Sequence, residues 1–93
     1  MQSLYEEAIR LVEELREARL KAVRLAAELA KAEYDLRVAQ ARVERHWIRQ
    51  AGGEKNLAPT VEDRTRIFTL ALDSDEEYRA RRERRDALAL QLE

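Results

Sequence analysis

The side chains best equipped for chemistry in this chain are guanidiniums. Arg79, Arg81, Arg82, Arg84 and Arg85 fall within seven consecutive positions. On a helix, such a cluster can track nucleic-acid phosphates or dock on an acidic protein. Its surroundings temper the charge, because Asp73, Asp75, Glu76, Glu77, Glu83 and Asp86 lie close by in sequence. Arg stems also cover apolar surface. A solvated, ion-paired helix face is therefore the ordinary reading. Partner docking comes next and direct nucleic-acid binding third, since no aromatic stacking platform accompanies the arginines.

Other groups carry less. Gly52-Gly53-Glu54-Lys55-Asn56 offers a loop that could cradle phosphate, but it lacks the preceding strand and the spacing of a phosphate loop. It reads as a helix end followed by a turn. His46 is the only His, with no second ligand type beside it, so a structural role is expected rather than catalysis or metal binding. No Glu-x-x-His pair supports a di-iron bundle. The absence of Cys excludes a disulfide scaffold, a thiol nucleophile and a thiolate metal site. The carboxylates have ordinary employment as i,i+4 partners: Glu6 with Arg10, Glu17 with Lys21, Glu33 with Arg37, Glu62 with Arg66, and Glu77 with Arg81. The chain is expected to have no catalytic residues, metal or cofactor.

What positions these groups is a single long helix. Apolar residues recur at alternating steps of four and three: Leu4, Ala8, Leu11, Leu15, Ala18, Ala22, Leu25, Leu29, Ala32, Leu36, Ala39 and Val43. The series closes on His46 and Gln50. This is the seam of a coiled coil. Ser3-Leu4-Tyr5-Glu6 has the spacing of a capping box, and Gly52-Gly53 can take the left-handed conformation that ends helices. The helix spans 4–50 and, at about 1.5 Å per residue, measures roughly 70 Å.

After a loop at 51–59, Thr60 caps a second helix at 60–72, with Glu62 and Asp63 complementing its positive end. Ser74 and Glu77 repeat the capping spacing, so a break near Asp73 divides it from a third helix at 75–92. The fold expected is all-α, one helical-hairpin domain over 1–93 with a long first helix and a shorter, broken return. Together the two return helices span about 45 Å and would cover about two thirds of the first. A second apolar stripe (Tyr5, Ile9, Val12, Leu20, Val23, Ala27, Ala30, Tyr34, Val38, Ala41) is expected to receive them.

That leaves the seam for a partner. Leu11, Leu15, Ala18, Ala22, Leu25, Leu29, Ala32, Leu36, Ala39 and Val43 are its candidate contact residues. In a parallel pair Glu14 meets Arg19, but Glu28 meets Glu33 in repulsion. Reversed about Glu28, Glu7 meets Arg49, Glu14 meets Arg42, Lys21 meets Asp35, Arg19 meets Glu33 and Tyr5 meets Trp47. Each exposed pair contributes about 0.2–1 kcal/mol, so charge selects orientation. An antiparallel homodimer is expected, giving a four-helix bundle if the hairpins pair. The competing readings are another oligomer and a monomeric hairpin in which the charge order is coincidence.

Composition bounds the rest. Charged residues are 40% of the chain and the net charge is −1, so nothing global draws it to nucleic acid or an acidic membrane. No run approaches the length of a membrane span and no signal peptide is visible, which makes a cytoplasmic protein the expectation. Fifteen Arg against three Lys, and a single Asn, fit a thermophilic source or simple codon bias.

Residues 53–78 carry a resemblance. Gly53-Glu54-Lys55-Asn56, then Glu62-Asp63-Arg64, then Leu70-Ala71-Leu72-Asp73-Ser74-Asp75-Glu76-Glu77-Tyr78 resemble a pattern in small bacteriophage-encoded helical accessory proteins. There a long charged helix precedes a Gly-Lys-Asn-like turn, a short helix with Arg and an Asp-Glu-Glu-Tyr stretch. Here Glu54 interrupts Gly-Lys-Asn and Pro59 enters the spacer. The resemblance implies an accessory or inhibitor protein from a replication or recombination gene neighbourhood, acting on a DNA-metabolism partner. It singles out Lys55, Asn56 and Arg64 as turn residues and carries over no catalytic residue.

Overall fold

A computed structural model describes residues 3–93 as an all-α helical hairpin measuring 77 × 21 × 15 Å. The long helix α1 runs Leu4–Ala51. Ser3 caps it by accepting from the Glu6 amide at 3.2 Å. Its other end is a Schellman closure: the Gly52 amide donates to the Arg49 carbonyl at 3.1 Å, and the Gly53 amide to that of Ile48 at 2.9 Å. Gly52 sits at φ +82° and Gly53 at φ +132°. L-residues resist both values, so this glycine pair fixes where the chain reverses.

The expected loop at 51–59 contains a four-residue helix, α2 (Glu54–Leu57). Then α3 runs Val61–Ser74 and α4 runs Glu76–Leu92. Thr60 caps α3 by accepting from the Asp63 amide at 3.1 Å. The break between the return helices lies two residues later than the sequence suggested. Asp75 is the cap, accepting from the Tyr78 amide at 2.8 Å. Ser74 instead donates its hydroxyl to the Leu70 carbonyl at 2.9 Å, which keeps it inside α3. Ser and Asp are both good caps, and here the carboxylate takes the post.

The return does not lie where the second stripe invited it. Tyr5, Ile9, Val12, Leu20, Val23, Ala27, Ala30, Tyr34, Val38 and Ala41 are all exposed. Leu20, Ala27, Tyr34 and Ala41 recur every seven residues at the heptad position facing away from the seam. The buried residues of α1 are Ala32, Leu36, Ala39 and Val43, four consecutive seam positions. Ala58, Leu72 and Leu88 complete the core, and among the described residues no large side chain is fully enclosed. Alanines at 32 and 39 let the backbones approach, and each buried Leu contributes about 2 kcal/mol.

Cover is also shorter than expected, reaching about half of α1. Most of the contact with α1 comes from α4, and α3 meets it more sparsely. Leu25 and Leu29 are half-buried, and every residue from Ser3 to Arg24 is exposed. The molecule exposes 7713 Å². A compact monomer of its 10.9 kDa mass would expose about 5,600 Å².

Candidate interaction surfaces

The seam residues fall into two groups. Ala32, Leu36, Ala39 and Val43 lie beneath the return helices of the same chain. Leu11, Leu15, Ala18 and Ala22 face solvent, with Leu11 at 55% and Leu15 at 52% exposure. Between them, Leu25 and Leu29 mark the edge of cover. The antiparallel register centred on Glu28 therefore needs a face that the chain already uses. Its Glu14–Arg42 pair also competes with an intramolecular ion pair, since Arg42 is bound to Glu77 of α4.

Glu77 is the electrostatic clamp of the hairpin. It accepts from Arg81 Nη2 at 2.9 Å and from Arg81 Nε at 3.1 Å, and it also accepts from Arg42. The Arg81 hydrogen bonds, followed by that from Arg42, hold its carboxyl below the ordinary glutamate range. Arg81 reaches in turn to Asp35 at 3.6 Å. These contacts join α4 to α1 across long sequence separations. Among the described residues, the bare half of α1 has only local pairs, with Arg10 at 4.0 Å from Glu7 and 3.9 Å from Glu14.

The arginine cluster is mostly engaged. Besides Arg81, Arg82 lies 3.4 Å from Asp73 and stacks 5.8 Å from the centre of the Tyr78 ring. Arg85 pairs with Asp86 at 2.8 Å. Only Arg79 and Arg84 have no ion partner among the described residues, and both are exposed. Of the five forward pairs read from sequence, Glu77–Arg81 forms, while Arg66 turns to Asp63 at 3.8 Å.

The turn residues build the turn. Asn56 donates from its side-chain amide to the Gly52 carbonyl at 3.2 Å, and Arg64 reaches the Ala58 carbonyl at 3.5 Å. Lys55 points to solvent. Sequence reasoning missed the cleft beside this turn. It holds about 710 Å³, and its walls include Val43, Trp47, Ile67 and Leu70, with Arg42 and Asp75 at its polar margin. His46 lines it as well, edge-on to Trp47 with ring centres 6.0 Å apart. The signal available was His46 and Trp47 at the end of the seam, where the alanine and leucine alternation stops.

Among the described residues, no group of acidic and imidazole side chains is arranged to hold a metal ion. No helix among them is long and apolar enough to cross a membrane. No family model matches the chain, and no curated protein or solved structure matches it significantly.

Proposed function

We propose that this protein is a non-catalytic helical interaction module that self-associates and engages its target by helix–helix contact. The observation that carries this reading is the bare stretch from Ser3 to Arg24, which still bears a regular seam. Exposed contiguous apolar surface of this kind marks interaction sites in stable proteins. The excess of exposed area over a compact monomer exceeds the roughly 800 Å² that each partner commits to a standard interface. The resemblance of residues 53–78 favours a phage-type accessory or inhibitor acting on a cytoplasmic DNA-metabolism enzyme.

Sedimentation of the full chain between nanomolar and 100 micromolar tests the reading. Self-association that is lost on introducing a charge at Leu15 agrees with it. A monomer throughout, combined with salt-dependent DNA or RNA binding, favours the second reading, a nucleic-acid accessory using Arg79 to Arg85. Arg79 and Arg84 support that alternative because they keep their charge free for phosphate. Two free guanidiniums give only a shallow salt dependence.

A further inference from the structure

The uncovered half of α1 has a length, a charge order and a neighbour, and together they specify one occupant. Arg81 faces Asp35. Since α4 runs opposite to α1, Leu92, eleven residues on, lies level with Arg24. That is where exposure begins. Below that level lie Leu4 to Ala22 on the same seam, a track of about 28 Å.

We infer that a second copy of this chain fills this track with the same segment of its own α1, running antiparallel, with Leu11 packed against Leu15 about a two-fold axis. This rests on the interaction reading above and specifies its homodimer. Each α1 then continues the path that the other chain's α4 leaves at Arg24. Ala8 meets Ala18 of the second copy, and Leu4 meets Ala22. Glu7 meets Lys21 and Tyr5 meets Arg19, each twice by symmetry; the first is an ion pair and the second a cation–aromatic contact. Glu14 meets its own copy, where Arg10 at 3.9 Å offsets the repulsion.

The alternatives collide or repel. A parallel partner would carry its own α1 onward past Arg24 into the volume held by α4. Sliding the antiparallel partner one heptad deeper sets Leu4 against Leu29, under the end of α4. Sliding it one heptad shallower opposes Glu7 to Glu14 twice and leaves Ala18 and Ala22 uncovered. Only the middle register satisfies length and charge together.

The arrangement is end-to-end, so size tests it. Two chains of 77 Å overlapping through Leu4–Ala22 make a rod of about 125 Å, whereas hairpins stacked side by side stay near the 77 Å of one chain. X-ray scattering of the full chain at 100 micromolar should give a dimer mass with a maximum dimension of about 125 Å. Leu11→Asp should return it to monomer, and Tyr34→Asp, on the outward stripe, should leave the dimer intact. Trp47 fluorescence, which reads the turn end, should be unchanged in both variants. The chain has no Cys, so Glu14→Cys introduces a single thiol. It should link to itself on mild oxidation and should fail to link to Arg42→Cys in a mixture. A dimer near 77 Å, or one broken by Tyr34→Asp and spared by Leu11→Asp, overturns this register while the interaction module stands. A monomer at 100 micromolar overturns the register and the self-association proposed above together.

Discussion

The two halves of α1 are written in one pattern and meet different fates. From Leu25 onward the seam is progressively buried under α4, while from Ser3 to Arg24 it is bare. Both halves alternate four and three, and both mix Ala with Leu. The pattern therefore specifies a sticky face and says nothing of what covers it. Cover is decided by length and by long-range charge. The return starts at the Gly52-Gly53 reversal, spends α2 and α3 near the turn, and its last helical residue, Leu92, comes only level with Arg24. Arg42, Glu77, Arg81 and Asp35 then fix its register.

The sharpest way to break the comparison is to truncate a leucine in each half. Leu36→Ala should cost about 2–5 kcal/mol, because the residue is only 7% exposed and leaves a cavity between packed helices. Leu11→Ala should cost under about 0.5 kcal/mol in dilute protein, as an exposed substitution does. At high concentration the Leu11 variant should lose stability relative to wild type, since a partner that binds only the folded chain stabilises it by mass action. Thermal melts followed by circular dichroism at two concentrations check both outcomes. Equal costs in dilute solution would show that the two halves are covered alike.

The reversal itself comes next. Gly53→Ala places a side chain at φ +132°, a value L-residues rarely adopt, although a Cβ there meets nothing within 4 Å. Its cost is therefore backbone strain alone, about 1–3 kcal/mol. At Gly52 the added Cβ would also come within 3.4 Å of the Asn56 amide that braces the turn. That is ordinary contact, and φ +82°, ψ +21° is the left-handed region that L-residues do visit, so Gly52→Ala should cost less than Gly53→Ala, and Asn56→Ala less than either. The covered half should lose stability in that order in urea titrations, while the helicity of the bare half should not change.

A smaller effect belongs to the cap between the return helices. Asp75→Ala removes the acceptor for the Tyr78 amide and should cost about 1 kcal/mol. Asp75→Ser should recover most of that, and Ser74→Ala should be nearly neutral. A larger loss from Ser74→Ala than from Asp75→Ala would move the break back to the position that the sequence suggested.

Much of this architecture was legible beforehand, for identifiable reasons. Ser3, Thr60 and the glycine pair act locally, and local chemistry is what spacing reports. The unbroken 4–50 periodicity pointed to the helix, and the hairpin followed from the single turn. The assignment of faces was not legible. The stripe from Tyr5 to Ala41 has comparable apolar content to the seam, and only three-dimensional placement shows that it points outward. The dimer register about Glu28 suffered for the same reason. Its charge pairs were sound in isolation, but Arg42 had a nearer carboxylate in Glu77, thirty-five positions along the chain. The ion-paired reading of the arginine cluster was legible because Asp73, Glu77 and Asp86 are close in sequence, and each takes an arginine. Asp35 was not, because it becomes a neighbour of Arg81 only after folding.

The smallest expected effect isolates that clamp. Hydrogen bonds from Arg81 and Arg42 favour the ionised form of Glu77, so its pKa in the folded chain lies below the unfolded value. The stabilisation it gives is complete above the unfolded value and fades as pH falls through the folded one. Glu77→Gln should therefore lower the melting temperature slightly at pH 7. The gap between variant and wild type should close as pH drops below the ordinary glutamate range. Both partners are substantially exposed, so 1 M salt should shrink the difference at neutral pH. Glu14→Gln, in the bare half, should show no loss at pH 7 in dilute protein, because its ion partner among the described residues is Arg10 on the same helix. At dimer-forming concentrations it should instead gain stability, by removing the one like-charge meeting on the two-fold axis. A Glu77→Gln penalty that persisted unchanged at pH 3 would mean that packing rather than charge holds α4 to α1. The contrast between the two halves would then rest on the buried leucines and alanines alone.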